Sequence, residues 1–213
     1  ASPSHFLPSG QQQGFDVLTV SADGPEVKDI VAEGVPHKVV PMTRMITPIQ
    51  DLICLWQLIR LIRRFKPDIV HTHTPKAGLL GMMAAWICRV PARMHTVAGL
   101  PLMEAKGMRR KVLEVTEKVT YACAQKVYPN SAGLENFMIQ ELNVNPAKVK
   151  IIGKGSSNGI DIDFFRRTEA LENQAITLRK QFGIEAEDVV FSFVGRIVRD
   201  KGIVELVQAF KAV

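Results

Sequence analysis

Cysteine is scarce in this 213-residue chain. Cys54, Cys88 and Cys123 are widely separated, form no CxxC pair, and have no histidine nearby at metal-ligand spacing. A disulfide scaffold and a structural zinc site are therefore not expected. The three thiols read as reduced core residues of a cytoplasmic protein. Long apolar runs are lacking as well. The most apolar, 77–88, falls well short of the ~20 residues that span a bilayer, and no secretory signal opens the chain. P-loop, GxSxG and HExxH motifs do not occur, nor do internal repeats or low-complexity segments.

What is present is an ordinary globular composition, 46% hydrophobic and 23% charged. The formal charge of +6 and a pI near 9.3 favour anionic partners. Phosphate-bearing small molecules, lipid headgroups and nucleic acid all qualify, and charge alone does not choose among them.

From Phe15 onward, short β-branched apolar runs alternate with longer stretches of helical period, as in βαβ units around a parallel sheet. The pattern predicts strands at 15–21, 37–42, 68–74, 92–98, 126–131, 149–155 and 189–195. It predicts helices at 48–65, 76–88, 108–124, 132–142, 171–182 and 202–213. In the first of these helices Leu52, Leu55, Trp56, Ile59 and Ile62 recur at three- and four-residue steps, and Lys66-Pro67 ends it. The expected fold class is α/β, a Rossmann-like parallel sheet with helices on both faces. The first thirteen residues are too few for the strand, loop and helix that normally precede the second strand of such a fold. The expected domains are 1–160, a Rossmann-like domain; 161–186, an interdomain linker and helix; and 187–213, the first strand and helix of a second domain.

Ligands of open parallel sheets bind beyond the carboxyl ends of the strands, so those ends carry the candidate site. In His71-Thr72-His73-Thr74-Pro75-Lys76, alternation puts His71 and His73 on one side of a strand, and the helix start near Lys76 offers free amides. The alternative is a pair of buried, hydrogen-bonded histidines. His95 to Pro101 runs a strand into a turn at Ala98-Gly99, where a ligand can approach the backbone closely; His95 reads equally as a core residue. Tyr128-Pro129-Asn130-Ser131 ends a strand ahead of a helix for which Ser131 is a good cap. Gly153-Lys154-Gly155-Ser156-Ser157-Asn158-Gly159 has GxGxxxG spacing with no helix after it, which argues against a dinucleotide site. Arg196 and Lys201 flank a turn after the strand ending at Gly195. A guanidinium fork beside an ammonium suits a departing diphosphate, although as a bare pattern two solvated charges explain it as well.

Taken in order, PDIVHTHTPKAGLLG, the turn Thr96 to Pro101, CAQKVYPNS, GKGSSNGID and FVGRIVRDKGI resemble the retaining glycosyltransferases of family 4, over nearly the whole chain from Gly14. The likeness is greatest to members that build capsular and exopolysaccharide units on a polyprenyl diphosphate lipid. The resemblance implies a two-domain GT-B enzyme of hexosyltransferase type, with acceptor on the N-terminal domain and nucleotide sugar on the C-terminal one. It implies diphosphate binding and catalysis by Arg196 and Lys201. Because the ends of adjacent parallel strands converge on one crest, the expected acceptor-binding residues are His73, Thr74, Lys76, Ala98, Gly99 and Asn130. The histidine common in the family's T-x-H-G turn falls on Ala98 here. No cofactor and no metal are implied beyond the nucleotide-diphosphate sugar, and the partners are that donor, a lipid-linked or saccharide acceptor, and no nucleic acid.

An anionic membrane surface at the cytoplasmic face is a further expected partner. Lys106, Arg109, Arg110, Lys111 and Lys118 would face headgroups while Val112 and Leu113 dip between them; a solvated basic helix is the alternative. With so little of a second domain, the chain alone is not expected to transfer sugar. Two other functions stay open, a sugar-nucleotide epimerase of GT-B architecture and a non-catalytic Rossmann-like binding module.

Overall fold

The computed structural model describes residues 14–43, 45–156, 161–185 and 187–212. The chain divides into two compact units, Ala1–Ile160 and Asp161–Val213.

In the first unit, short parallel strands alternate with helices. The strands are β1 (Thr19–Ser21), β2 (His37–Val39), β3 (Ile69–Thr72), β4 (Ala92–Val97) and β5 (Lys126–Pro129). Between and after them run α1 (Val27–Ala32), α2 (Pro48–Phe65), α3 (Pro75–Ile87), α4 (Gly107–Cys123) and α5 (Ala132–Gln140). All ladders are parallel, as crossover helices require. They form two sheets, β1-β2 and β3-β4-β5.

Two predicted strands do not form. Residues 149–155 keep a single bridge, Val127 to Val149, because Gly153, Gly155 and Ser156 take φ of 60°, 86° and 63° and turn the chain away. Residues 189–195 join no ladder. An extended segment becomes a strand only beside a partner, and the second unit offers none among the described residues.

Helix α2 begins with Pro48 at its first position and Asp51 in its first turn. It ends on Arg63, Arg64 and the left-handed cap Lys66 before Pro67. Its buried stripe is Cys54, Leu58 and Ile62, with Leu55 and Ile59 packed partly against it. The predicted stripe is corrected in part, since Leu52 and Trp56 lie exposed on the opposite side. The helix is apolar around most of its circumference, so period alone could not say which arc faces the sheet. Helix α3 lies between α2 and α4; it is apolar all round and buried on several sides.

Two core clusters meet across α3. One gathers Met82, Val97, Leu102, Tyr121, Val127 and Met138; the other gathers Val40, Cys54, Leu58, Leu80, Ala84 and Val90. All three cysteines are free thiols, Cys54 buried and the others half-buried. Lys106, just before α4, and Arg109, Lys111, Val112 and Lys118 on it are exposed, whereas Leu113 packs against the core. Leu113 therefore cannot dip between headgroups; one 100° step turns it inward from Val112.

The second unit contains α6 (Glu169–Gln181), capped by the Thr168 hydroxyl, which accepts from the Leu171 amide. It also contains a 3-10 turn, Arg199–Lys201, and α7 (Ile203–Phe210). Phe191 and Phe210 meet edge to face at 6.2 Å.

Candidate functional site

The polar ends of β3, β4 and β5 form one crest, and the pairing register decides which side chains meet there. His71 pairs with Met94 and Thr72 with His95, while Thr96 pairs with Tyr128. Alternation then sorts the crest onto two faces.

On the open face the His71 and His73 rings lie 4.3 Å apart, and Tyr128 meets His71 edge-on at 6.3 Å. His71 Nε2 and Thr96 Oγ1 share a hydrogen bond of 2.8 Å. Both histidines are exposed rather than sealed in the core. Even so, desolvation of the ring and then the charge of His73 draw the His71 pKa down to about 4. Desolvation lowers His73 too. At neutral pH the face thus carries neutral imidazoles beside hydroxyls, an uncharged set of donors and acceptors that matches sugar hydroxyls.

On the covered face, Thr72 Oγ1 and His95 Nδ1 share a buried hydrogen bond of 2.7 Å. His95 is 2% exposed. Desolvation first, then the charges of His73 and His71, hold its pKa at about 4. Helix α3 can lie this close only because it has glycines at the contact. A Cβ on Gly78 would stand 2.5 Å from His95 Cε1, and one on Gly81 would stand 2.7 Å from Thr72 Cγ2. Beyond His95, Tyr121 and Glu117 of α4 are buried together, and desolvation raises the Glu117 pKa.

Asn130 ties the crest together. Its side-chain amide donates to the Ala98 carbonyl at 3.1 Å, and its own amide donates to Val97 O at 3.1 Å. The Asn130 carbonyl accepts from the Ser156 amide at 2.7 Å, and Gly155 passes so near that a Cβ would lie 2.5 Å from this oxygen. The continuation of that loop, 157–160, lies outside the described residues.

The sequence-predicted acceptor residues are thus placed as follows. His73, Thr74, Ala98 and Gly99 are exposed at the strand ends, Thr74 at the N-cap position of α3 without a side-chain capping bond and Gly99 with open space where a Cβ would go. Asn130 is half-buried. Lys76 is turned aside: its ammonium binds the Asp51 carboxylate at 2.6 Å and the Met45 carbonyl at 2.5 Å. Arg196 and Lys201 are both exposed in the second unit, on a turn closed by Val198 N–H donating to Arg196 O and Lys201 N–H donating to Val198 O. Gly202 follows with φ of 70°.

Sequence reasoning missed the Thr72–His95 pair, the buried Glu117 and Tyr121, and the roles of Gly78 and Gly81. Two glycines one turn apart inside a helix were the available signal, since each costs about 1 kcal/mol relative to alanine and so marks a close contact. Among the described residues no group of three or more His, Cys, Asp or Glu side chains could hold a metal ion.

Residues 7–155 match the model of the glycosyl transferase 4-like domain. The capsular polysaccharide biosynthesis glycosyltransferase CapM of Staphylococcus aureus is 39% identical over 203 residues, 95% of this chain and 52% of the relative. The UDP-Gal:alpha-D-GlcNAc-diphosphoundecaprenol alpha-1,3-galactosyltransferase of Escherichia coli is 31% identical over 211 residues, 97% of this chain and 51% of the relative. Among solved structures, Anabaena Alr3699/HepE in complex with UDP and glucose superposes with a TM-score of 0.70 at 18% identity, over 99% of this chain and 54% of that one. Its parallel α/β architecture is that of the GT-B glycosyltransferases. The chain spans about half the length of the curated relatives it matches.

Proposed function

The chain belongs to the glycosyl transferase 4-like family, and on that premise we propose that the whole protein transfers a hexose from a nucleotide-diphosphate donor to a hydroxyl of a lipid-diphosphate-linked saccharide, with retention of configuration. The observation that carries the acceptor half is the open face of the crest. Neutral His71 and His73 stand there beside Thr96 and Tyr128, with Ala98 and Gly99 leaving the strand ends open. Such a face can fix hydroxyls by hydrogen bonds without presenting a competing charge. The diphosphate in the name of the galactosyltransferase relative supports a lipid-linked acceptor, and the UDP-Gal in the same name supports a sugar nucleotide as donor.

In the reaction, the bond from the anomeric carbon to the donor diphosphate breaks as a bond to the acceptor oxygen forms. The acceptor proton leaves with the diphosphate or to solvent. Negative charge grows on the departing oxygens, and Arg196 and Lys201 are assigned to stabilise it, as two basic groups on one short turn in the second unit. Catalysis then rests on positioning and electrostatics more than on a general base, and is independent of metal.

The test compares Arg196→Ala, Lys201→Ala and Arg199→Ala in the full-length enzyme at saturating donor. Each of the first two should lower turnover on the order of a hundredfold, about 3 kcal/mol of barrier, and affect donor affinity less. Arg199→Ala should matter least. Near-normal rates for the first two, or the largest loss at Arg199, refute the assignment. An epimerised sugar nucleotide formed without acceptor would replace the transferase reading.

A further inference from the structure

We propose that the main-chain amide of Gly99 holds a hydroxyl of the acceptor saccharide, and that Asn130 is the positioning residue that presents this amide. The fold itself does not need a glycine at 99. Its φ lies outside the left-handed region, and a Cβ there would meet nothing within 4 Å. Gly155 shows the contrast, with φ of 86° and a Cβ that would stand 2.5 Å from the Asn130 carbonyl oxygen. With both steric reasons missing at 99, the bare backbone serves the close approach of a ligand at the strand ends. Gly99 is exposed there, and among the described residues its N–H has no hydrogen-bond partner.

Asn130 decides where that amide points. Its Nδ2 donates to the Ala98 carbonyl at 3.1 Å, and a carbonyl, which only accepts, fixes which end of the side-chain amide faces it. In a planar trans peptide the C=O and the next N–H point in opposite directions. The bond therefore turns the Gly99 N–H away from β5. Without it the Ala98–Gly99 peptide plane could flip, because glycine accepts either sign of φ. Asn130 is itself fixed by its main chain. Its N–H donates to Val97 O at 3.1 Å, its carbonyl accepts from the Ser156 amide at 2.7 Å, and the Ser131 hydroxyl caps α5 by accepting from the Leu134 amide at 3.3 Å. With its donor on Ala98, Asn130 acts on the acceptor through Gly99 instead of touching it.

The ligand follows from the groups at the same strand ends. His71, bonded to Thr96, and His73 present no charge at neutral pH, so a lone N–H beside them suits the oxygen of a hydroxyl. A donor on the attacking oxygen would tie up a lone pair that the reaction needs, so the amide is assigned to a neighbouring hydroxyl of the same sugar. The inference deepens the transferase reading and rests on it for the identity of the ligand.

The experiment uses the full-length enzyme, with UDP-galactose as donor and N-acetylglucosamine diphosphate on a short alkyl chain as acceptor probe. Carbon-13 carbonyl alanine and nitrogen-15 glycine label the Ala98–Gly99 peptide for NMR. At neutral pH Asn130→Asp replaces the donor by a carboxylate of the same shape and keeps the main-chain bonds to Val97 and Ser156. The Ala98–Gly99 cross-peak should shift in this variant without any substrate. Its kcat/KM for the acceptor should fall on the order of a hundredfold, with the donor KM nearly unchanged. Gly99→Ala should be as stable as the wild type or more so, yet lose about tenfold or more in kcat/KM for the acceptor. An unmoved cross-peak in Asn130→Asp overturns the positioning role, whether activity is kept or lost, and lost activity would then make Asn130 a direct ligand. Wild-type acceptor kinetics in Gly99→Ala, or a loss in Asn130→Asp that falls on the donor KM, overturns the assignment of the amide. A wild type that transfers to no saccharide refutes the transferase reading alone, because the cross-peak is read without turnover.

Discussion

Replacing Gly78 by alanine sets two effects of known sign against each other. Helix propensity favours alanine by about 1 kcal/mol at an interior position. Packing opposes it, since the new Cβ would lie 2.5 Å from His95 Cε1, 3.1 Å from Nδ1 and 3.2 Å from Nε2. The ring has little room to retreat: Thr72 holds Nδ1 at 2.7 Å, and the Tyr121 ring stands 6.1 Å away. Overpacking costs about 1–3 kcal/mol, and losing a buried hydrogen bond costs about 1–3 more. Packing wins, and a net loss of roughly 2–3 kcal/mol is expected. For a unit of this size that lowers the melting temperature by roughly 5–10 °C. Gly133→Ala is the control, because a Cβ there meets nothing within 4 Å and should be neutral or slightly stabilising. Thermal unfolding of full-length variants decides the matter. The Gly78 loss should vanish in a His95→Ser background, where the methyl has space. A Gly78→Ala protein as stable as the control, or a loss that persists without the ring, would refute the reasoning.

Two further outcomes follow from the same region. The folded His95 pKa of about 4 lies below its ordinary value near 6.5, so the unfolded chain binds the extra proton between those values. Stability from a neutral, buried His95 is therefore full above about pH 6.5 and falls as the pH drops toward 4, by on the order of 3 kcal/mol; His95→Gln should flatten that slope in acid unfolding curves. Asp51→Ala and Lys76→Ala, which break a half-buried ion pair of 2.6 Å, should each cost about 2 kcal/mol by chemical denaturation. The double variant should cost clearly less than the two together, and simple additivity would dismiss the pair as stabilising.

Most of the element order was legible in the residues. Helix α2 begins and ends where Pro48 and Lys66-Pro67 say it should, since local rules of capping and proline geometry act within a few residues. The alternation of His71, Thr72 and His73 likewise told that the histidines share a face. Other features needed the tertiary structure. Which arc of α2 is buried depends on the sheet beneath it, and a helix apolar on two arcs does not announce the choice. The removal of Lys76 to Asp51, 25 residues away, and the passage of Gly78 over His95 are contacts between distant segments, invisible to any local pattern. Strand pairing is of the same kind: residues 149–155 read as a strand by composition, yet left-handed turns at Gly153 and Gly155 end the pairing after Val149. Local sequence determines what each segment can become. Only packing decides which faces meet, because burial and hydrogen bonding reward contacts between residues far apart along the chain.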